Sequence, residues 1–346
     1  MLNRAGISAL VAASISFSYV PAFAESKGTI AYLLPDSGGP FYPDAGKILK
    51  EFLQQDDYDL TILDSNNKSD VQLNQIDNVI NLKPKAIIVA AVDFDAVVPG
   101  VEKAKAAGIP TIAFDRQIKG TTVGLTSVAG AVEIGQIAAD QAADLLKARY
   151  GQVKGNVLEI TGDPGDAYSV SLREGFDGKM KAFPDVKLVT KPAMQWEPTN
   201  AANVAQDQLQ AVPNTDLIFY HSGYLASAVT AVVQAAGKKA GEVMMIDGDG
   251  DPGGLTQIRA GWQQVSVQQP MPAQVYAIAM FLDKVLKGEE IKPGKYDVLG
   301  LEGTMTNEKW GPNLKIPGSV ITKANVDDPS NWGNGKVPQV KVQPVN

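Results

Sequence analysis

Short apolar runs alternate along the chain with longer stretches whose apolar residues recur every three or four positions. The short runs predict strands over residues 29–34, 59–64, 86–92, 111–114, 122–126, 156–161, 187–192, 217–221, 243–247 and 265–268. The amphipathic stretches predict helices over 71–81, 95–107, 130–150, 168–183, 200–210, 226–236 and 273–286. Most of the strands are apolar throughout rather than alternating. That pattern belongs to parallel strands covered on both faces by crossover helices, so the expected class is α/β, doubly wound.

So many strands would make one unusually wide sheet, and two sheets of about five are more economical. The run GLTSVAG, residues 124–130, closes the first set of strands and is rich in small residues, which marks a hinge. A second crossing is expected near Gln269-Pro270, with the next helix returning to the first domain. The expected lobes are residues 25–127 with 270–299, and residues 128–269 with 300–346. After about Lys292 the periodicity gives way to Pro, Gly and Asn, as in DDPSNWGNGKVPQ, and the tail reads as a surface wrap with a frayed end.

The first residues change where these lobes are expected to work. MLNRAGISALVAASISFSYVPAFAES sets Arg4 before a small, apolar run that ends in Ala22-Phe23-Ala24, the pattern of a secretory signal, residues 1–24, cleaved after Ala24. The run stops at Pro21, short of the roughly 20 apolar residues that span a bilayer. The mature chain is therefore expected to be periplasmic and not membrane-embedded. It has no cysteine, hence neither a disulfide nor a thiol for a lipid anchor. Without Arg4 the 346-residue chain carries 30 basic against 38 acidic side chains, a net charge of −8. With no Lys/Arg stripe to set against that acidity, nucleic acid is not an expected partner.

In open α/β sheets, ligands bind outside the carboxyl ends of the strands. Here those ends are polar: PDSGGPFYP after the first strand, Val92-Asp93 after the third, Asp115-Arg116-Gln117 after the fourth, then His221-Ser222, Asp247-Gly248-Asp249 and Gln268-Gln269. Carboxylates accept two bonds, Arg donates in a planar fork and Gln does both, an inventory suited to vicinal hydroxyls. Asp115 and Arg116 raise a question of their own. Strand neighbours point to opposite faces, so they are poorly placed to neutralise each other unless the chain turns there. Each should meet water, a ligand or a more distant partner.

Other chemistries fare worse. Gly248-Asp-Gly250-Asp-Pro-Gly253 matches GxGxxG after a strand, but Asp247, Asp249 and Asp251 would set three negative charges where a pyrophosphate must lie. The same run resembles a calcium loop, yet Pro252 takes the turn position that wants Gly, and Ile258 stands where the bidentate Glu belongs. No cofactor or metal is expected. His221 is the only histidine, so any catalytic triad would rest on that one imidazole; its simpler reading is a strand-end residue that is partly buried or touches ligand. Paired carboxylates stay open as an alternative, because Asp115 and Asp249 could face each other across a cleft in an exported carbohydrate-active enzyme. Phe41, Tyr42 and Trp196 could stack on a sugar face, and the first two fall in a Pro/Gly-rich loop rather than a periodic segment.

Taken in order, GPFYP after the first strand, LDSNN after the second, GIPTIAFDRQ at the fourth, REGF in the second domain and IDGDGDP later resemble the periplasmic sugar-binding proteins of the ribose-binding type. The resemblance runs from about Thr29 to Gly288. It implies two similar α/β domains joined by three crossings, which close on one monosaccharide-sized ligand and hand it to a membrane ABC permease, with no catalysis and as a monomer. It also implies roles. Phe41, Tyr42 and Trp196 would stack on the sugar, Asp115, Arg116 and Asp249 would bond its hydroxyls, and Gln268 would do so from the hinge.

The departures from that pattern matter as much. Gly39 stands where ribose binders have Asn, Leu172 where they have a ligand-binding Arg with Arg173 one step off, and Ser222-Gly223 replace an Asn-Asp pair. Losing a charged donor costs roughly 1.5–3 kcal/mol, about ten- to a hundredfold in affinity. A different small polyhydroxylated ligand, sugar or polyol, is therefore expected, with Tyr168 and His221 filling vacated space and Asp93 at the third strand's end.

Overall fold

The computed structural model describes residues 26–345; the signal expected over 1–24 lies outside them. The first half of the chain runs β1 (Gly28–Leu34), α1 (Phe41–Gln54), β2 (Tyr58–Asp64), α2 (Ser69–Leu82), β3 (Ala86–Val89), α3 (Val98–Ala106), β4 (Thr111–Phe114) and β5 (Leu125–Ala129). The second sheet is built by α4 (Ala131–Tyr150), β6 (Gly155–Thr161), α5 (Ala167–Met180), β7 (Val186–Pro192), α6 (Pro198–Ala211), β8 (Leu217–Tyr220), α7 (Ala226–Ala235), β9 (Met244–Asp247), α8 (Pro252–Ala260) and β10 (Val265–Gln268). The chain then returns through α9 (Met271–Lys287), β11 (Gly294–Val298), β12 (Leu301–Glu308) and β13 (Gly311–Ile316), and leaves again for β14 (Ser319–Ile321).

Two sheets result, one of eight strands in the order β11-β12-β13-β5-β4-β3-β1-β2 and one of six in the order β14-β10-β9-β8-β6-β7. The doubly wound α/β expectation holds: β1 to β5 and β6 to β10 pair in parallel, and β3, AIIV, is buried along its whole length as a strand covered on both faces must be. Helix α9 fills the core of the first lobe, with Val275, Ile278 and Phe281 against Phe52, Phe114 and Leu125. A matching core in the second lobe gathers Ile134, Leu146, Leu172, Phe176 and Phe219.

Three differences from the sequence reading bear on the site. Phe41 and Tyr42 are not in a loop; they open α1, whose buried Phe41, Tyr42, Ala45, Ile48, Leu49, Phe52 and Leu53 follow helical spacing. Pro40 and Pro43 disguise it, yet a proline in the first turn removes an N–H that has no helical partner anyway. The hinge run 124–130 is itself strand: Leu125–Ala129 is buried at the centre of the sheet between β4 and β13, and the chain crosses only at Gly130. Finally, residues from 300 on do not all belong to the second lobe. β12 and β13 extend the first sheet, and the third crossing comes at Pro317-Gly318 between β13 and β14. The β11–β12 hairpin turns on Leu299 and Gly300, both at positive φ (55° and 81°), as a tight two-residue hairpin requires.

Candidate functional site

Asp115 shows how the fold makes the site. Its φ is +63°, and the Arg116 N–H donates to the Phe114 carbonyl at 2.6 Å, so the chain makes a three-residue turn at the end of β4. The turn lets both charges face the gap between the lobes. Tyr42 donates its hydroxyl to Asp115 Oδ2 at 2.6 Å. Arg116 reaches the other way: Nη1 donates to the Ala91 carbonyl at 2.7 Å, and Nη2 meets Asp166 Oδ2 at 2.8 Å, both side chains nearly wholly buried. Asp166 belongs to the opposite lobe, so this ion pair spans the gap. The Tyr42 ring lies 5.3 Å from the guanidinium carbon, adding a cation–π contact.

The second lobe supplies the facing wall. Asp166 caps α5 through the Tyr168 N–H at 2.8 Å and accepts the Trp196 indole N–H at 3.0 Å. Trp196 and Gln195 both hold positive φ (54° and 60°), and the indole lies over Gly162, where a Cβ would come within 2.1 Å of the ring. Just beyond β9, Asp249 accepts the Ser222 hydroxyl at 2.7 Å and the Gln269 amide at 3.1 Å. Asp251 caps α8 through the Gly253 N–H at 2.8 Å, and Asp247 turns inward to Gln263 at 2.6 Å and to Ser266. The three acidic residues of DGDGD thus hold three different structures.

Between the walls lies a cavity of about 60 Å³, lined by Phe41, Tyr42, Asp115, Arg116, Tyr168, Trp196, Ser222 and Asp249 together with Asp36, Asp166, Tyr224, Asp251 and Gln269. That is room for on the order of four to six water-sized groups. Among the described residues Arg116 is its one cation, set among several carboxylates. Burial pushes the Asp115 carboxyl up to about 6, against the pull of Arg116. Burial, then the neighbouring Asp247, pushes Asp251 up to about 7, and Asp249 rises too, through burial and the charge of Asp251.

Three sequence candidates do not line the cavity. His221 is wholly buried beneath the floor, with Nε2 3.0 Å from Glu159 and Nδ1 3.2 Å from Ser169; its neighbour Ser222 reaches the gap instead. Gln268 points away, donating to Ser319 at 2.8 Å and Asn331 at 3.2 Å, and Gln269, one step on, takes the inward place. Side chains alternate along a strand, and that parity could not be read where β10 meets Pro270. Asp93 is spent on a turn, accepting the N–H groups of Asp95 (2.9 Å) and Ala96 (2.8 Å).

The departures are accounted for as well. Tyr224 packs over Gly39, 3.4 Å from where a Cβ would stand, and fills the space a side chain would take there. Leu172 is core and Arg173 faces out to Asp177 at 3.1 Å, so neither enters the cavity. Tyr168 does occupy the wall, donating to the Gly248 carbonyl. Asp166 was missed because it lies in a loop with no periodic signal, while Asp36 and Gln269 fall within polar strand ends where nothing local told them from their neighbours.

The profile of the periplasmic binding protein domain matches residues 30–290. The chain belongs to the periplasmic binding protein family. The ribose import binding protein of Salmonella typhimurium is 30% identical over 86% of this chain and 97% of that one. The D-apiose import binding protein of Paraburkholderia graminis is 27% identical over 83% of this chain and 90% of its own. A galactofuranose binding protein of known structure superposes with a TM-score of 0.76 at 18% identity, covering 89% of this chain and 98% of that one. A periplasmic binding protein works by capture for an importer and not by turnover, which sets aside the paired-carboxylate enzyme reading of Asp115 and Asp249.

Proposed function

We propose that this periplasmic binding protein captures one small, uncharged, hydroxyl-rich molecule, a sugar or polyol, between its lobes and presents it in the closed form to an ABC permease. One observation carries the reading. Three residues lining the cavity each hold a buried polar atom with no hydrogen-bond partner among the described residues: Asp115 Oδ1, Arg116 Nε and Gln269 Oε1. Buried polar groups are normally paired. Acceptors and a donor fanned around a small cavity suit the paired donor and acceptor capacity of hydroxyls. Gln274, near Asp115 but outside the lining, leaves both its Oε1 and its Nε2 without a hydrogen bond. Relatives named for ribose and D-apiose import support the same ligand class.

Charge narrows the class. Arg116 is already committed to Asp166, and Asp36, Asp115, Asp249 and Asp251 remain around the cavity. An acidic sugar would meet an excess of carboxylates, with Arg116, already paired to Asp166, as the one cation in the lining among the described residues. The protein is further proposed to be exported through residues 1–24, to act as a monomer, and to close about its crossings as the permease partner requires. A thermal-shift panel of neutral pentoses, hexoses and polyols beside uronates and sugar phosphates, with mass spectrometry of co-purified small molecules, tests this. At a hundred times Kd a true ligand adds about 2.7 kcal/mol and raises Tm. Stabilisation by a neutral compound alone is expected; stabilisation by acids only, or by none of the panel, overturns the reading.

A further inference from the structure

The tail beyond β14 ties the lobes together a fourth time. Residues 322–334 are fastened to the second lobe: Arg259 pairs with Asp327 at 2.7 Å and donates to the Val326 carbonyl (3.1 Å) and Asn334 (2.6 Å). Ile321 and Val326 pack on Leu255 and Ile258. The last residues are fastened to the first lobe. Gln55 donates to the Val340 carbonyl at 3.0 Å and accepts the Val342 N–H at 2.9 Å. The Gln343 N–H donates to the Tyr276 hydroxyl (3.1 Å), the Val345 N–H to the Met280 carbonyl (3.0 Å), and Val342 is buried in the first lobe's core. Between Asn334 and Val340 the span borders a cavity of about 580 Å³ beside Pro270 and Leu301, with Val337 packed against the first lobe's core.

Trp332 is the wedge of this strap. Its indole N–H donates at 2.9 Å to the Asp249 carbonyl in the second lobe. Its ring lies in the first lobe's core, edge-on to Phe41 with centroids 5.6 Å apart. One buried side chain therefore braces a cavity residue from each wall. Such a contact is compatible with the closed arrangement and must be lost, or the tail end undocked, when the lobes part. The six links from Asn334 to Val340 reach at most about 20–22 Å even when extended, so opening is bounded unless residues 340–345 peel away.

We infer that the C-terminal strap biases the lobes toward closure and that Trp332 is a positioning residue that holds Phe41 and Asp249 in register across the gap. The family profile ends at residue 290, so the strap lies beyond the part matched to it. The chain has no cysteine, which makes a pair of spin labels simple to place at the exposed Asp70→Cys and Lys191→Cys, one on each lobe. Pulsed electron resonance on refolded, sugar-free protein reads the lobe separation directly and does not depend on which ligand is bound. Trp332→Ala and a chain lacking residues 336–346 are each expected to raise the long-distance population several-fold over the parent. Should Trp332→Ala fail to fold, the truncated chain, which keeps Trp332, carries the test. Variants that melt earlier but keep the parent distribution would show the strap to be mere packing and overturn the inference.

Discussion

Asp115 carries an aspartate into the left-handed region at the end of a buried strand, a conformation that costs energy and that Asp and Asn tolerate best among non-glycine residues. The turn is what allows neighbouring opposite charges to serve one gap instead of opposite faces. The sequence showed the charges and their place but not the turn, because nothing local distinguishes it from a solvated loop start. Their environment has a measurable consequence. The carboxyls of Asp115 and Asp251 are raised by burial to about 6 and about 7, from an ordinary 3.8. Between those limits the folded protein holds protons that the unfolded chain has released, so stability falls as pH rises through that window. The ligand-free protein should therefore melt higher as pH falls from about 7.5 to about 5, the reverse of a protein held by ionised carboxylates. Asp251→Asn, which can still cap α8, should flatten the dependence; a parent whose Tm drops steadily over that range would contradict these assignments. A calorimetric scan against pH reads both.

Elements were legible where burial follows a repeating pattern. Strand β4, a short apolar run, and strand β10, a short alternating one, were both found to the residue, each closed off by polar residues. Helix α1 was hidden by its prolines, and β11 to β13 by Gly and Pro at their turns and by one-faced alternation, which is weaker than a run buried on both faces. The 3-10 segment that carries Trp196, Met194–Trp196, could not be read at all, because it has no buried residues to set a period. Its placement depends on a glycine in another element. Gly162 follows β6, and a methyl there would stand 2.1 Å from the indole, a contact no real Cβ makes. Gly162→Ala should leave both cores intact yet push Trp196 from the cavity wall and loosen its bond to Asp166. Isothermal titration with the best neutral ligand is expected to show at least a tenfold loss, about 1.4 kcal/mol, with a small change in Tm. Unaltered affinity would mean that Trp196 does not touch ligand.

At the scale of the whole molecule, two lobes, each with its own core, meet across the gap through the packing of Trp332 on Phe41 and through polar contacts that include the buried Arg116–Asp166 pair. Such a pair gains little over apolar packing, but breaking it within a closed site leaves a charge without its partner. Asp166 offers a clean way to do that. Asn caps a helix about as well as Asp, so Asp166→Asn keeps the α5 cap while turning an amide N–H toward the donors of Arg116 and Trp196. The loss at Arg116 should act only where the lobes have closed, whereas the Trp196 bond lies within the second lobe. Encounter of ligand with an open cleft precedes the pair, so the association rate should stay near the parent value. Dissociation requires opening and should accelerate, by about ten- to a hundredfold if the lost charge-assisted bond is worth roughly 1.5–3 kcal/mol. Stopped-flow binding with the ligand identified by the thermal-shift panel separates the two rates. A slower association with an unchanged dissociation rate would place the pair in the open form and deny it any part in closure.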